Sequence, residues 1–150
     1  MNPKKIVVDT DIILEYLIHS DEGARSRRAS VLRRAMSVFF CYTTVFNAIE
    51  VFALCETEKE IQAVEDSLSA LKILGLNGKS ARSVGRVVRQ GRKSDTGRYD
   101  LLIAGVCVES KLPILTGRPD RYRTVKSLQV VPARRLRGYE SAAAVESRSR

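Results

Sequence analysis

The feature that most constrains the fold is the alternation of short apolar runs with longer segments of helical periodicity. Lys5–Val8 is a β-branched run that stops at Asp9, which is typical of a buried strand. Similar runs predict strands at residues 38–41, 73–76, 113–115 and 128–131. Strands that alternate with helices favour parallel pairing with both faces of the sheet covered. We therefore predict an α/β fold, with a central, mostly parallel sheet flanked by helices on both faces.

The helical segments lie between these strands. Most of them carry apolar residues at intervals of three and four, whereas those over 45–54 and 101–110 are apolar almost throughout. The helical segments are predicted at residues 12–18, 24–36, 45–54, 58–71, 78–90 and 101–110, with a turn at 21–23 and a helical turn at 119–123. Thr43 and Thr44 are expected to cap the helix over 45–54, and Asn77 the helix over 78–90. The residues expected to face the core are Ala29, Leu32 and Met36 in one helix and Ala81, Val84 and Val88 in another.

The length of the chain favours one folded domain. A chain of 150 residues is long enough to bury a core, and we assign residues 1–137 to that domain. Residues 138–150 have little to bury, and we expect them to be frayed. No stretch approaches the ~20 apolar residues that span a bilayer, and charged residues appear at Lys4 and Lys5, before any apolar signal region. We therefore expect no membrane association and a cytoplasmic location.

The cysteines do not suggest a zinc site. Cys41, Cys55 and Cys107 are far apart, and the chain has one histidine, His19. A zinc site of Cys and His ligands usually contains closely spaced pairs such as C-x-x-C, and the chain has no such pair. Each cysteine has apolar neighbours in the sequence, so we expect reduced thiols in the core.

The net charge favours polyanionic partners. The chain carries a formal charge of +9 at pH 7, with a sequence pI of about 9.8. Binding to a nucleic acid releases counterions from the phosphates, and basic chains gain most from this release. A basic surface that serves solubility alone is the alternative, and charge by itself does not decide between them.

Three acidic residues occupy positions that are difficult to explain by solubility. Asp9 follows the first strand, at the edge of the sheet where ligands gather in α/β folds. Glu50 lies within the apolar segment 48–54, and burying its charge without a partner costs several kcal/mol. Asp100 begins the apolar helix over 101–110. Each acid also has a simpler explanation. Asp9 and Asp100 could cap helices, and Glu50 could occupy an exposed position on its helix. Asp11, in the first helical turn, is favoured there by the helix dipole.

Together the three acids suggest a divalent metal site. Carboxylates that meet at one edge of a sheet repel one another unless a cation lies between them. Oxygen ligands suit Mg²⁺ or Mn²⁺, which also bind phosphate groups. Such a metal lowers the pKa of a bound water and neutralises charge on phosphoryl oxygens, so that no histidine base is needed. The chain contains no phosphate-binding G-x-x-x-x-G-K-[ST] loop.

Four sequence motifs resemble those of PIN domains, particularly the VapC-type toxins. They are Val-Val-Asp-Thr-Asp-Ile-Ile-Leu at 7–14, Thr-Thr-Val-Phe-Asn-Ala-Ile-Glu-Val-Phe at 43–52, Asp-Leu-Leu-Ile-Ala-Gly at 100–105 and Pro-Ile-Leu-Thr-Gly-Arg at 113–118. Each motif is short, but the four occur in order over residues 5–132. The resemblance implies a PIN-like nuclease domain that uses Mg²⁺ or Mn²⁺ and cleaves RNA. It further implies a homodimer and a protein antitoxin as partner.

The resemblance also assigns roles to individual residues. Asp9, Glu50 and Asp100 correspond to the metal-binding and catalytic acids, and Thr10 to a neighbour whose hydroxyl orients a carboxylate or water. The fourth motif departs from the family, because Arg118 occupies a position where the family usually has Asn or Asp. Asp120 is the candidate substitute for this acid. The phosphate-binding candidates are Thr10, Thr116, Arg118 and Arg121, the last two within a basic cluster after the fourth motif.

Two other functions fit parts of the sequence. Asp9-Thr10-Asp11 after a strand imitates the nucleophile loop of haloacid-dehalogenase-like phosphatases, although such enzymes need a downstream lysine and a further pair of acids. A PIN-like module that binds RNA or a partner without cutting is the second alternative, and Arg118 is the feature in its favour.

Overall fold

The computed structural model describes residues 4–21 and 30–136 and contains a five-stranded parallel sheet with helices on both faces. The elements are β1 (Lys5–Val8), α1 (Thr10–Asp21), α2 (Val31–Val38), β2 (Phe40–Thr44), α3 (Val45–Ala53), α4 (Glu58–Leu68), β3 (Lys72–Leu74), α5 (Ser80–Gly91), α6 (Arg98–Ser110), β4 (Ile114–Thr116), a 3-10 helix (Pro119–Tyr122) and β5 (Val130–Pro132). The predicted fold class is confirmed.

The strand order places β1, the first strand, at the centre of the sheet. The order is β3-β2-β1-β4-β5, so β1 pairs with β2 on one side and with β4 on the other. All pairs are parallel, and the carboxyl ends of the strands therefore share one edge. Asp9, Thr44 and Thr116 lie at this edge, where β1, β2 and β4 end.

The core has two layers, one on each face of the sheet. Successive side chains of a strand point to opposite faces, so Ile6 and Val8 pack in one layer while Val7 packs in the other. The first layer includes Ile13 of α1 and Leu32 of α2, and the second includes residues of α5 and α6. Ile6, Val7 and Val8 of β1 are all fully buried, which explains their continuous apolar run.

The boundaries of several elements differ from the sequence predictions. Val38 belongs to α2 rather than to β2, which begins at Phe40. The run 38–41 is apolar throughout, and periodicity alone cannot separate the end of one element from the start of the next in such a run. Strand β1 has the predicted bounds, β3, β4 and β5 are shifted by one or two residues, and α4 ends at Leu68 instead of residue 71. The turn predicted over 21–23 cannot begin at Asp21, which is the last residue of α1. Residues 1–3, 22–29 and 137–150 lie outside the described residues, so the first part of the helix over 24–36 and the frayed tail remain predictions.

Two of the predicted core positions are exposed. Met36 is 42% exposed near the end of α2, and Ala81 is exposed on α5, where Val84 and Val87 are buried instead. The prediction of an inward Val88 holds in part, because this residue is half-buried against the second core layer. Gly105 of α6 allows α5 to approach closely, since a Cβ there would lie 2.8 Å from Val84 Cγ1 and 3.2 Å from Val84 Cα.

The cysteines are free thiols, as predicted, with Cys41 and Cys107 buried and Cys55 half-buried. Burial raises the pKa of Cys41 to about 11, so this thiol is protonated and unreactive at neutral pH. Within the described ranges, no helix combines the length and apolar character that a membrane-spanning segment needs.

Candidate active site

Asp9 is the centre of a buried hydrogen-bond network at the carboxyl edge of the sheet. Its Oδ1 accepts a hydrogen bond from the backbone N–H of Thr10 at 2.8 Å and another from Nδ2 of Asn47 at 3.0 Å. Its Oδ2 accepts from Oγ1 of Thr116 at 2.8 Å and from the hydroxyl of Tyr122 at 2.9 Å. The side chain is 4% exposed. Donors from α1, α3, β4 and the 3-10 helix therefore fix the orientation of this carboxylate.

Asn47 connects Asp9 to the start of α3. Its fully buried side chain donates to Asp9 and also to Oγ1 of Thr10 at 3.0 Å. Its Oδ1 accepts from the backbone N–H of Thr44 at 3.2 Å and from the Thr44 hydroxyl at 2.6 Å. Thr44 in turn caps α3 through the backbone N–H of Asn47, as the sequence predicts for this threonine. The helix that carries Glu50 is thus fixed relative to Asp9.

Glu50 lies on α3, half-buried beside the network. Burial raises the pKa of its carboxyl group, and the nearby charges of Asp9 and Asp100 raise it further. A hydrogen bond with Thr10 and the charge of Arg121 act in the opposite direction. Oε1 of Glu50 is buried and has no hydrogen-bond partner among the described residues. A buried oxygen without a donor is costly unless another group, such as a cation, satisfies it.

Asp100 lies in the first turn of α6 and is half-buried. Gly97, not Asp100, is the N-cap of this helix, so capping does not explain the aspartate. Burial raises the pKa of its carboxyl group and so does the charge of Asp9, whereas Arg121 lowers it. The structure therefore brings Asp9, Glu50 and Asp100 into electrostatic contact at one end of the sheet.

Asp11 is a further acid at this site that the sequence analysis attributed to the helix dipole. Burial and the charge of Asp9 raise the pKa of its carboxyl group. Its Oδ2 accepts a hydrogen bond from the backbone N–H of Gly117 at 2.8 Å, and its Oδ1 is buried without a partner in the described part of the chain. A Cβ at position 117 would lie 2.6 Å from Oδ2, so the contact needs a glycine unless Asp11 moves.

The residues of the fourth motif have different environments. Thr116 is fully buried, donates to Asp9 and accepts from the backbone N–H of Arg118 at 3.1 Å. A phosphate contact by Thr116 is incompatible with this burial, and the residue instead positions Asp9. Arg118 is exposed close to Asp11, and Arg121 is exposed close to Glu50 and Asp100. Asp120 is exposed in the 3-10 helix between the two arginines.

The donor set is compatible with a hard divalent cation. All the candidate ligands are carboxylate oxygens, which Mg²⁺ and Mn²⁺ prefer. Among the described residues, Glu50 Oε1 and Asp11 Oδ1 are buried and have no hydrogen-bond partner. Across residues 4–21 and 30–136, however, no three Asp, Glu, His or Cys side chains already have metal-binding spacing. Binding would therefore require Glu50 and Asp100 to draw closer to Asp9.

The raised pKa values predict a dependence of stability on pH. Well below pH 4, Asp11, Glu50 and Asp100 are protonated in both the folded and the unfolded chain. Their raised pKa values therefore do not change the free energy of unfolding in this range. As the pH rises above about 4, the unfolded chain loses these protons first, and the free energy of unfolding decreases until the folded groups also ionise. A bound cation offsets this loss, so we expect Mn²⁺ to raise the free energy of unfolding more at about pH 7.5 than at about pH 4.

Urea denaturation across this pH range, with EDTA or with Mn²⁺, measures both effects. Glu50→Gln is the control, because it keeps the shape of the side chain and removes its charge. A Glu50→Gln chain with the same pH slope and the same response to Mn²⁺ as the unchanged chain would contradict the expectation.

Comparison with known proteins identifies the family. The model of the PIN domain, a family of nucleases, matches residues 6–126. The chain belongs to the PIN domain family. The matched region contains all four motifs, and membership of this family argues against the haloacid-dehalogenase-like phosphatase alternative. No match was found among curated protein sequences.

Solved structures agree with this fold. The chain is similar to a protein in DNA-bound VapBC from Salmonella typhimurium, with a TM-score of 0.72, 15% identity, and coverage of 87% of this chain and 98% of the other. It is also similar to a protein in VapBC2 from Rickettsia felis bound to promoter DNA, with a TM-score of 0.67, 16% identity, and coverage of 85% and 98%. A third similarity is to VapBC-5 of the VapBC toxin-antitoxin family from Mycobacterium tuberculosis, with a TM-score of 0.58, 19% identity, and coverage of 87% and 99%.

Proposed function

We propose that the chain is a divalent-metal-dependent endoribonuclease that hydrolyses phosphodiester bonds of RNA. The observation that carries the proposal is the position of Asp9, Glu50 and Asp100 near the carboxyl edge of the sheet, within range of one another's charge, in a member of a nuclease family. The buried, unpartnered Oε1 of Glu50 supports a cation at this position. The formal charge of +9 supports a polyanionic substrate.

In this proposal, Asp9, Glu50 and Asp100 would hold Mg²⁺ or Mn²⁺. The bound cation supplies acidity to a water molecule and offsets negative charge on the phosphoryl oxygens. Thr10 lies beside Glu50 and lowers the pKa of its carboxyl group, and the donors around Asp9 hold the Asp9 carboxylate in one orientation. Asp120 is a proposed fourth acid, exposed at the rim of the site.

Arg118 and Arg121 are the proposed phosphate contacts. Both are exposed, and both lie close to acids of the site. A guanidinium at this position can hydrogen-bond a phosphate and stabilise the charge that develops during cleavage. Thr10 is almost fully buried, so its contribution is to orient the acids rather than to bind an exposed phosphate.

We expect Arg118→Ala to reduce RNA cleavage by about 10-fold and to change Mn²⁺ affinity much less. A tenfold change corresponds to about 1.4 kcal/mol, which is ordinary for one charge-assisted contact. The measurements are cleavage rates at saturating Mn²⁺ and the dissociation constant for Mn²⁺. Arg86→Ala is the matched control, because it removes an exposed arginine from α5, outside the site. Undiminished cleavage by Arg118→Ala would show that this arginine makes no contribution.

The test of the proposed function is cleavage of a labelled RNA by the purified chain with Mg²⁺, with Mn²⁺ and with EDTA. We expect cleavage with either metal and none in EDTA. Cleavage that persists in EDTA would exclude the proposed mechanism. RNA binding without cleavage under every condition would support the alternative of a non-catalytic PIN-like module, for which Arg118 in the fourth motif is the supporting feature.

We further propose that the chain is the cytoplasmic toxin of a toxin-antitoxin pair and a homodimer. The similar structures from Salmonella typhimurium and Mycobacterium tuberculosis are of VapBC assemblies, the latter described as a toxin-antitoxin system. The positive charges of Arg118 and Arg121 beside the site are complementary to an acidic inhibitor segment of an antitoxin. Growth arrest on expression tests this role, and normal growth would contradict it.

A further inference from the structure

An aromatic pair lies beside the acids of the site. Phe46 in the first turn of α3 and Tyr99 in the first turn of α6 contact each other with ring centroids 6.0 Å apart and an interplanar angle of 83°. Phe46 packs against the core layer that contains Val7 and Leu101, whereas Tyr99 is 39% exposed. Phe46 therefore acts as a fixed support, and Tyr99 presents aromatic surface to solvent.

The position of the pair follows from helix geometry. Phe46 precedes Glu50 by four residues, so the two side chains share one face of α3 with Cβ atoms about 5–6 Å apart. Tyr99 directly precedes Asp100 on α6. Helices α3 and α6 contact each other, and each carries one ring of the pair and one acid of the site: Phe46 and Glu50 on α3, Tyr99 and Asp100 on α6. The aromatic pair therefore lies one helical turn from Glu50 and directly before Asp100 in the chain.

We propose that Phe46 and Tyr99 form a stacking subsite for an unpaired base of single-stranded RNA, next to the phosphate that is cleaved. This inference rests on the proposed function and adds a substrate requirement to it. Stacking needs a free base face, which a continuous duplex does not offer. The exposed Arg98, which precedes Tyr99, and Arg121 near Asp100 supply positive charge for the flanking phosphates.

The subsite predicts a requirement for the base itself. A base that stacks on Tyr99 gains affinity from its π-face, and a nucleotide without a base retains its phosphate contacts but loses this gain. We therefore expect Tyr99→Leu to weaken binding of a single-stranded RNA about 10-fold. The same substitution should have no effect on an RNA of equal length whose nucleotides are abasic. Tyr99→Phe keeps the ring and should bind both RNAs as the unchanged chain does.

The test is fluorescence anisotropy with a 5′-labelled RNA decamer of mixed sequence and its fully abasic counterpart, each in Ca²⁺ and in EDTA. Phe40→Leu is the matched control, because Phe40 is an exposed aromatic residue at the start of β2. No binding of the intact decamer, equal binding by Tyr99→Leu and the unchanged chain, or equal losses on both RNAs would overturn the subsite.

The outcomes separate this inference from the proposed function. A chain that cleaves RNA with Mg²⁺ but shows no effect of Tyr99→Leu retains the function and loses the subsite. A chain that binds the intact decamer through Tyr99 but never cleaves it retains the subsite and loses the function.

Discussion

Asp9→Asn is expected to reduce metal-dependent RNA cleavage by about 10³-fold or more. The substitution removes the negative charge at the centre of the site, where Glu50 and Asp100 are both close enough to sense it. A thousandfold loss corresponds to about 4 kcal/mol of transition-state stabilisation, which is reasonable for a residue that holds the cation. The measurement is the single-turnover cleavage rate at saturating Mn²⁺.

The control for this substitution must distinguish a loss of catalytic activity from a loss of folding stability. Asparagine has nearly the shape of aspartate, but its amide nitrogen cannot accept the hydrogen bonds that one of the Asp9 oxygens accepts. The melting temperature of Asp9→Asn therefore has to be measured beside its activity. Asp66→Asn makes the same change at an exposed position on α4 and should leave cleavage unchanged. Cleavage by Asp9→Asn within tenfold of the unchanged chain would remove Asp9 from the mechanism.

Asn47→Leu is expected to lower the free energy of unfolding by about 3 kcal/mol or more. Leucine has a similar size but leaves an oxygen of Asp9, the hydroxyl of Thr10 and the capping groups of Thr44 without their buried partner. Each buried polar group without a partner costs about 1–3 kcal/mol. The measurement is urea denaturation followed by circular dichroism.

Asn77→Leu is the matched control for this prediction. Asn77 also accepts hydrogen bonds at a helix start, from the backbone N–H of Ser80 at 3.0 Å and its hydroxyl at 3.1 Å, but it is exposed. The N-cap of α5 is Lys79 and not Asn77 as predicted, and loss of an exposed side-chain hydrogen bond of this kind costs about 1 kcal/mol. Equal losses of stability for the two variants would show that Asn47 is an ordinary capping residue and does not hold the site together.

The order of the elements could be predicted because it depends on local patterns. The β1 run is apolar at each of its three fully buried positions, and the buried apolar residues of α4 and α5 recur at helical spacing. The limits of α2 and β2 could not be predicted, because residues 38–41 are apolar across the junction. Met36 was wrongly placed in the core because a helical pattern defines a face only within about one residue.

Some residues of the candidate site could also be predicted from the sequence, and others could not. Asp9 and Glu50 could be recognised because a charge beside an apolar run is conspicuous in the sequence. Asn47 and Tyr122 could not, since their partner Asp9 is 38 and 113 residues away and the fold alone brings them together. The T-x-x-N spacing of a capping box at Thr44 was a signal for Asn47, although it indicates a helix start rather than a contact with Asp9.

A single cation shared by Asp9, Glu50 and Asp100 is central to the proposed mechanism, and calorimetric titration with Mn²⁺ tests it most directly. We expect one firmly bound Mn²⁺ per chain, because the positive charge of Arg118 and Arg121 opposes a second ion. Asp9→Asn, Glu50→Gln and Asp100→Asn should each weaken this binding by about 10-fold or more, while Asp66→Asn leaves it unchanged. Two tight sites, or affinity that survives all three substitutions, would contradict the account.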